Sequence, residues 1–248
     1  MNFQLRKQKI LAQLSEQGEV DTKALAQSLG ISEITIRRDL NQLSDHGLLY
    51  RTHGGAIPVT TPEMPHRFIN KAAANQAAKD KICSKAAAHI NDGDIIFMDC
   101  GSTVFRLCQF IKGKRIKVIT NSMPVISELQ NSQVSLNIIG GEYDAERQAI
   151  HGSMAIEHIR RYQAGKAFIG VDGISAKGLF AHSEKEAAIA LALAAQSAQT
   201  YLLCDAGKID KPSYLQFAPL EMVYAIVTDA DPAALKYCKK KGVKVIGV

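Results

Sequence analysis

One predicted helix carries an arginine where it can hydrogen-bond to base edges in a DNA major groove. At 3.6 residues per turn, Ile36, Leu40 and Leu43 stack on one face of this helix. Arg38 then points almost directly away from that apolar face. A helix with an apolar back and a polar front can lie in a major groove, where its front meets bases and its shoulder meets phosphate. The other front and shoulder residues are Thr35, Gln42 and Arg37.

The residues before this helix predict the elements that position it. Ser32 is a helix N-cap residue, and Gly30 provides the tight turn before it. Asp21 caps the preceding helix, and a first helix with a helical apolar period ends at Gly18. Two short helices joined by a glycine-bearing turn, with the second exposing polar residues, form the order of a helix-turn-helix.

The residues after the helix predict a β-hairpin wing between Leu48 and Gly55, where a Gly-Gly pair permits a tight turn. Arg51 and His53 on this wing can reach flanking phosphates. The alternative is a small helical subdomain with ordinary solvated arginines, but cap, helix face, turn and wing all favour DNA contact. The predicted DNA-binding residues are Ser32, Thr35, Arg37, Arg38, Gln42, Arg51 and His53.

Composition limits the class of protein. The 248 residues are 46% hydrophobic and carry a net charge of +6, which favours an anionic partner. The chain has no run of 18 apolar residues, and the polar start MNFQLRKQK lacks the apolar core of a signal peptide, so we expect a soluble cytoplasmic protein. Five scattered cysteines without C-x-x-C spacing, and histidines without a ligand cluster, predict reduced thiols, no metal and no cofactor.

The chain is predicted to hold two domains. Three prolines (Pro58, Pro62 and Pro65) mark a stiff, non-helical linker, which places a DNA-binding domain at residues 1–57, a linker at 58–74 and a second domain at 75–248. A helix is predicted over Asn75–Ile90. The predicted strands after it are Ile95–Met98, Ile116–Thr120, Val134–Ile139, Ala167–Val171, Tyr201–Cys204, Val223–Thr228 and Val243–Ile246. The intervening predicted helices are Val104–Ile111, Pro124–Gln130, Met154–Tyr162, Glu184–Gln199 and Pro232–Lys240.

Strands that are apolar throughout and alternate with helices predict an α/β domain with a mostly parallel sheet covered on both faces. Ligands bind such sheets at the carboxyl ends of the strands, and this chain places polar residues there repeatedly. Free N–H groups and hydroxyls after Asp99 can hold a phosphate, and Lys208 can supply a charge. Each residue alone also fits a turn or an acidic first helical turn. The predicted effector-binding residues are Asp99, Gly101, Ser102, Thr103, Asn121, Gly141, Asp172, Glu186, Asp205 and Lys208.

The run TIRRDL, followed by a wing ending in HGGA, resembles the signature of the DeoR family of bacterial sugar-metabolism repressors. The resemblance continues through Asp99 to Thr103, Thr120-Asn121, Gly140-Gly141, Asp172-Gly173, Glu186, and Asp205 to Lys208. It implies an effector domain whose fold is similar to ribose-5-phosphate isomerase. Gly207 departs from the family pattern, which has Ser before the Lys, and this departure removes a hydroxyl from the predicted site.

The resemblance implies a transcriptional regulator, not an enzyme: a homo-oligomeric (dimeric or tetrameric) repressor released from double-stranded operator DNA by a phosphorylated sugar. Two alternatives remain. Asp99, Glu186 and Lys208 are the residue types that a sugar-phosphate isomerase with a DNA-binding arm would use for proton transfer. The second domain can also be a purely structural oligomerisation domain.

Overall fold

The computed structural model describes residues 3–45, 48–52, 54–58 and 68–248. The chain divides into two compact units, an N-terminal unit of Met1–Ala74 and a C-terminal unit of Asn75–Val248. In the described residues, no helix is both long and apolar enough to cross a membrane.

The N-terminal unit is a helix-turn-helix with a wing, as predicted. Its helices are α1 (Phe3–Gln17), α2 (Thr22–Leu29), α3 (Glu33–Asp45) and α4 (Phe68–Ala73), and its strands are β1 (Val20–Asp21), β2 (Tyr50–Arg51) and β3 (Gly55–Ile57). Apolar residues of α1, α2, α3 and the wing share one core, which includes Ile10, Leu25, Ile36, Leu40 and Leu49. Each of these five side chains is completely buried, so the apolar back of α3 is the side that holds it in the unit.

The predicted caps set the ends of the helices. The Asp21 carboxylate accepts hydrogen bonds from the backbone N–H groups of Lys23 and Ala24, which begin α2. Gly30 ends α2 with a left-handed φ of 65°, a conformation that glycine adopts without strain. The helix order and the tight turn before α3 are therefore confirmed.

The wing contains a strand that the sequence did not predict. β1 pairs antiparallel with β3, and β3 pairs antiparallel with β2, which gives a three-stranded sheet. A Cβ atom on Gly55 would lie 1.8 Å from the backbone oxygen of Val20. Only glycine lets β3 approach β1 this closely, so the second glycine of the predicted Gly-Gly turn is required for strand pairing.

The predicted linker 58–74 contains the helix α4, which no sequence pattern indicated. Residues 59–67, including Pro62 and Pro65, lie outside the described residues, so the stiff proline segment stays a prediction. α4 packs against α3 and buries Phe68. A non-helical connection is therefore wrong for Phe68–Ala73, because burial of Phe68 stabilises a helix too short to form alone.

The C-terminal unit is built on a seven-stranded parallel sheet, and all seven predicted strands form it. The order across the sheet is β15-β14-β12-β9-β4-β5-β6. These strands are β4 (Ile95–Met98), β5 (Lys117–Thr120), β6 (Ser135–Ile138), β9 (Ala164–Ile169), β12 (Ser197–Leu203), β14 (Ala225–Thr228) and β15 (Lys244–Gly247). Alternate residues of one strand enter two different cores, as with Phe97 and Met98, so both faces of the sheet are covered.

The helices of this unit largely match the prediction, with three corrections. They are α5 (Gln76–Ala87), α6 (Ser102–Phe105), α7 (Cys108–Ile111), α8 (Met123–Leu129), α9 (Ser153–Ile159), α10 (Glu184–Ala195) and α11 (Lys236–Lys240). Predicted helix Val104–Ile111 is two short helices, and predicted helix Pro232–Lys240 begins as a 3-10 turn. The predicted helix Glu184–Gln199 ends at Ala195, because Ser197 already pairs with Ala164 in the sheet.

Five short strands were missed. β7 (Glu142–Asp144) and β8 (Ala149–His151) form a two-stranded ribbon, while β10 (Gly173–Ser175), β11 (Gly178–Ala181) and β13 (Leu215–Ala218) form a three-stranded antiparallel sheet. Three or four residues are too few to show an alternating apolar period, so only tertiary pairing identifies these strands.

The cysteines have the predicted character. Cys83, Cys108, Cys204 and Cys238 are buried free thiols. Burial raises the pKa of Cys108 to about 12, so its thiol stays protonated and unreactive at neutral pH. Among the described residues, no group of three or more His, Cys, Asp and Glu side chains is placed to hold a metal ion.

Candidate DNA-binding and effector sites

α3 presents the predicted polar front. Arg37, Arg38 and Gln42 are exposed, whereas Ile36 and Leu40 are buried. Ser32, immediately before α3, accepts a 3.4 Å hydrogen bond from the Thr35 backbone N–H. The same Ser32 hydroxyl lies 2.9 Å from the Thr35 hydroxyl, so these two predicted contacts are coupled.

The two arginines of α3 have different surroundings. Arg37 lies 3.4 Å from Glu33, one turn earlier on the helix, in an exposed ion pair. Its charge also acts on the wing, because burial and then the Arg37 charge lower the pKa of Arg51. Arg38 projects from the exposed side, away from the buried Leu40. Arg38 therefore faces outward, as the predicted contact with bases requires.

The aspartate that follows these arginines has a structural role that the sequence reasoning missed. Asp39 is 3% exposed, and its carboxylate accepts hydrogen bonds of 2.5 and 2.9 Å from the guanidinium of Arg6 on α1. The hydrogen bond to Asp39 raises the pKa of Arg6. The pair ties α1 to the back of α3. The sequence indicates this ion pair in one way: Asp39 is a charged residue on the apolar face of a predicted helix.

The wing arginine holds the wing to α3. Arg51 Nε donates a 2.9 Å hydrogen bond to Asn41 Oδ1, and its guanidinium also donates to the Gly55 carbonyl. These contacts fix the hairpin next to the exposed face of α3. His53, the other predicted wing contact, lies outside the described residues.

The predicted effector residues meet at the carboxyl edge of the parallel sheet. Met98 at the end of β4 pairs with Thr120 of β5 on one side and with Phe168 of β9 on the other. The register of β9 and β12 pairs Ile169 with Leu202. The loops after these four strands therefore lie side by side, which brings together the predicted residues that follow them.

Asp99 links two of these loops. Its Oδ1 accepts a 2.7 Å hydrogen bond from the Gly101 N–H, and its Oδ2 accepts a 2.6 Å bond from the Gly170 N–H. Burial raises the pKa of Asp99 to about 6, although the two hydrogen bonds oppose the change. A Cβ on Gly101 would lie 2.9 Å from Asp99 Oδ1, so any side chain at position 101 requires this carboxylate to move.

A buried lysine from α5 reaches the same loop. Lys79 is 3% exposed, and its Nζ donates a 3.3 Å hydrogen bond to Ser102 Oγ. Ser102 and Thr103 are buried in the first turn of α6. Among the described residues, Thr103 Oγ1 has no hydrogen-bond partner. Lys79 places a positive charge beside the hydroxyls that were predicted to hold a phosphate.

The loop after β12 carries two further charged residues of the predicted site, Asp205 and Lys208. Asp205 is 4% exposed and accepts hydrogen bonds from the Gly207 N–H at 3.1 Å and from Asn75 Nδ2 at 3.3 Å. Lys208 Nζ donates a 2.5 Å hydrogen bond to the Val171 carbonyl, at the end of β9. A Cβ at position 207 would lie 2.8 Å from Asp205 Oδ1, so a Ser at this position requires the carboxylate to move.

Asp172 and Glu186, two of the predicted carboxylates, each lie beside a basic side chain. Asp172 Oδ2 accepts a 2.9 Å hydrogen bond from the His182 N–H and lies 3.2 Å from the same residue's ring. Glu186 on α10 forms a 3.1 Å ion pair with Arg147, and both side chains are mostly buried. Asp172 thus positions the loop that leads into α10, and Glu186 stands beside a cation that the sequence did not single out.

The strand ends on the other side of β4 supply Asn121 and Gly141. Asn121 is fully buried, and its Nδ2 donates a 2.9 Å hydrogen bond to the Ile150 carbonyl. In the part of the chain that the structure describes, Asn121 Oδ1 has no partner. Gly141 has a φ of 152°, and a Cβ there would lie 2.6 Å from the His151 carbonyl. Gly141 therefore serves the backbone path rather than a side-chain contact.

The sequence missed Asn75, Lys79 and Arg147. Asn75 and Lys79 lie at the start of an alanine-rich helix, with no motif around them, and Arg147 lies in a turn between two unpredicted strands. Their contacts span 130, 23 and 39 positions, so no local spacing rule detects them.

Comparisons with known proteins identify a family for both units of the chain. Residues 6–61 match the DeoR-like helix-turn-helix domain, and residues 74–230 match the DeoR C terminal sensor domain. The chain is 35% identical to a lactose phosphotransferase system repressor from Lactococcus lactis, over 92% of each chain. It is 32% identical to an L-fucose operon activator from Haemophilus influenzae, over 99% of this chain and 100% of that one.

Solved structures give partial matches to this chain. Ribose 5-phosphate isomerase A from Methanocaldococcus jannaschii is 16% identical with a TM-score of 0.41, covering 54% of this chain and 55% of that chain.

The relatives with high coverage are named as regulators of transcription, which confirms the prediction of a regulator rather than an enzyme. The two domain matches show that this chain belongs to the DeoR family of DNA-binding transcriptional regulators.

Proposed function

We propose that this protein represses an operon for sugar catabolism and leaves its operator when a phosphorylated sugar binds the C-terminal unit. Two lysines and two buried aspartates meet at one edge of the sheet, and this is the main support for the effector part of the proposal. Lys79 and Lys208 supply positive charge, and Asp99 and Asp205 supply hydrogen-bond acceptors. A phosphorylated sugar has a dianion and several hydroxyls, which match these two kinds of group.

The DNA half of the proposal assigns roles to the predicted residues of the N-terminal unit. Arg38 and Thr35 read base edges, with Gln42 beside them on the exposed face of α3. Contacts to phosphate come from Ser32, Arg37, Arg51 and His53. The contact of Arg51 with Asn41 supports this assignment, because it holds the wing close to α3 and thus close to the flanking backbone.

The effector half assigns the phosphate to the loop after β4. Ser102 and Thr103 provide hydroxyls, and the Lys79 ammonium lies 3.3 Å from the Ser102 oxygen. The buried atoms Thr103 Oγ1 and Asn121 Oδ1, which have no partner among the described residues, support a polar ligand at this edge. Glu186, paired with Arg147, and Asp172 complete the boundary of the site.

Release follows from linkage between the two sites. We propose a dimer or tetramer whose two wings match two half-sites, and an effector-bound conformer whose wings do not. Because linkage is reciprocal, operator DNA weakens effector binding by the same factor, typically about 5- to 150-fold. The proposal places the protein in the cytoplasm, with its operator.

Fluorescence anisotropy tests the proposal, with the full-length protein and labelled DNA from upstream of its own operon at fixed salt. A panel of pentose and hexose phosphates is added to the complex. We expect one compound to release the DNA. Selective DNA binding that no compound in the panel changes contradicts the effector part of the proposal. Deletion of the gene for this protein distinguishes repression from activation, because transcription of a repressed target gene should then increase.

Lys208→Ala tests the effector site separately. Loss of the ammonium should leave operator affinity unchanged and raise the concentration of effector needed for release at least tenfold, because an ion-assisted contact is lost. Lys244→Ala, a lysine on the distant edge strand β15, is the matched control. An effector dose curve for Lys208→Ala that overlays the wild-type curve removes Lys208 from the site.

Arg38→Ala tests base reading. The substitution should cost about 1–3 kcal/mol on operator DNA and relax the sequence preference, with a much smaller effect on random duplex. Arg37→Ala, which removes a predicted phosphate contact from the same helix, should weaken both duplexes to a similar extent. Equal losses on operator and random DNA for Arg38→Ala contradict its role as a base-reading residue.

A further inference from the structure

An isoleucine lies on the exposed side of α3. Ile34, in the first turn of the helix, is 81% exposed, more than any other large hydrophobic side chain among the described residues. Its neighbours in sequence behave as core residues: Ile36 is completely buried, and Ile31 packs against the core of the N-terminal unit. No packing requirement within this unit accounts for an isoleucine at position 34.

The position of Ile34 relates it to the base-reading arginine. Ile34 and Arg38 are separated by four residues, so they lie one above the other on the same face of the helix. Asn41, three residues further on, continues this face and is occupied by the wing, because its Oδ1 accepts a hydrogen bond from Arg51. The exposed face therefore presents an apolar side chain at its N-terminal end and a guanidinium one turn later.

The N-terminal residues of a recognition helix are the ones that contact base edges. Among the groups that base pairs present in the major groove, the C5-methyl of thymine is the apolar one. Polar neighbours of Ile34 are engaged locally: Glu33 pairs with Arg37, and the Thr35 hydroxyl lies 2.9 Å from that of Ser32. Ile34 thus has the position and the chemistry for contact with a methyl group.

We propose that Ile34 is a specificity-determining residue that packs against the C5-methyl of a thymine in each operator half-site. Arg38 reads the adjacent part of the half-site by hydrogen bonds, and Ile34 reads by apolar contact. The proposal rests on the DNA-binding role proposed above for α3 and is independent of the effector.

The test deletes the methyl from the DNA and the side chain from the protein. Full-length protein selects duplexes from a random pool, and each thymine of the enriched duplex is then replaced, one at a time, by deoxyuridine. For the wild type, we expect one position per half-site where the replacement weakens binding about fourfold, the ratio for one buried methyl-sized group. For Ile34→Ala, the thymine and uracil duplexes should bind equally at that position.

Two further variants make the test specific. Ile34→Val keeps a branched apolar side chain and should retain most of the discrimination between thymine and uracil. Leu5→Ala removes an exposed apolar side chain from α1 of the same unit and should retain all of it. Circular dichroism and melting curves verify that each variant is folded.

Four results would overturn the proposal. The first is a wild-type protein that distinguishes thymine from uracil at no position. The second is an Ile34→Ala variant that keeps the full discrimination, since the methyl is then read by another residue. A loss in Ile34→Ala that is equal on every duplex assigns Ile34 to the DNA backbone and likewise rejects thymine reading. Failure of the wild type to enrich any duplex would reject sequence-specific DNA binding as well.

Discussion

The buried ion pair between α1 and α3 predicts that a residue without any DNA contact is essential for operator binding. Asp39→Ala removes the two carboxylate oxygens that accept hydrogen bonds of 2.5 and 2.9 Å from the Arg6 guanidinium. Removing one partner of a buried ion pair costs about 3–5 kcal/mol, because the remaining charge loses the opposite charge that stabilised it. Since 14% of the Arg6 side chain is exposed, water screens part of this cost, and we expect about 2–3 kcal/mol.

That cost is large for a small domain. At about 0.05–0.15 kcal/mol per residue, a helix-turn-helix unit of this length is stable by roughly 3–9 kcal/mol. Asp39→Ala should therefore remove about a fifth or more of its stability and weaken operator binding through more frequent unfolding of α3.

Native-state hydrogen exchange measures the effect within the full-length protein. Opening of α1 and α3 should become roughly 30- to 150-fold more frequent in Asp39→Ala, while amides of the seven-stranded sheet are unchanged. The double variant Arg6→Met/Asp39→Leu replaces the pair with apolar groups and should restore most of the protection. Unchanged exchange in Asp39→Ala would refute the reasoning, and unchanged exchange with weaker operator binding would place Asp39 in direct contact with DNA.

Two further predictions concern the wing and the effector edge. Gly55→Ala should cost about 1–3 kcal/mol and abolish operator binding, because its Cβ would lie 1.8 Å from the Val20 oxygen. Gly54→Ala, whose Cβ would meet its nearest atom at an ordinary 3.4 Å, is the control, and equal melting temperatures for the two variants would contradict the close strand pairing. Burial raises the pKa of Asp99 from 3.8 to about 6, so its contribution to stability is greatest below pH 4 and is lost as the pH rises through 6. The difference in unfolding free energy between wild type and Asp99→Asn should therefore fall by up to about 3 kcal/mol between pH 4 and pH 7, and a pH-independent difference would show that Asp99 is not titrating in this range.

Much of the N-terminal unit was predictable because its signals are local. Asp21 as a cap, Gly30 as a left-handed turn and the apolar face of α3 all depend on residues within one or two helical turns. The third wing strand was not predictable, since β1 has two residues and forms only by pairing with β3, whose paired residues lie 34 and 36 positions further along the chain. The role of Asp39 was missed for the same reason, because its partner Arg6 lies on another helix.

In the C-terminal unit, apolar runs predicted every strand of the parallel sheet, because a strand buried on both faces is apolar along its whole length. The boundary between α10 and β12 was misjudged, since the alanine-rich segment favours helix locally while pairing with β9 requires strand. The tertiary contact prevails because it completes the centre of the sheet.

The effector-binding residues at the carboxyl edge of the sheet likewise include some that the sequence predicted and some that only the structure shows. The sequence by itself determined that Asp99, Asp172, Asp205 and Lys208 lie at strand ends, since a strand-to-helix connection leaves its polar residues at the carboxyl edge. Only the tertiary structure decided which side chains stand beside them: Asn75 next to Asp205, Lys79 next to Ser102, and Arg147 next to Glu186. Caps, turns and apolar periods depend on residues that are close in sequence, so the sequence alone predicts them. Charge pairing at this edge depends on how distant segments fold together.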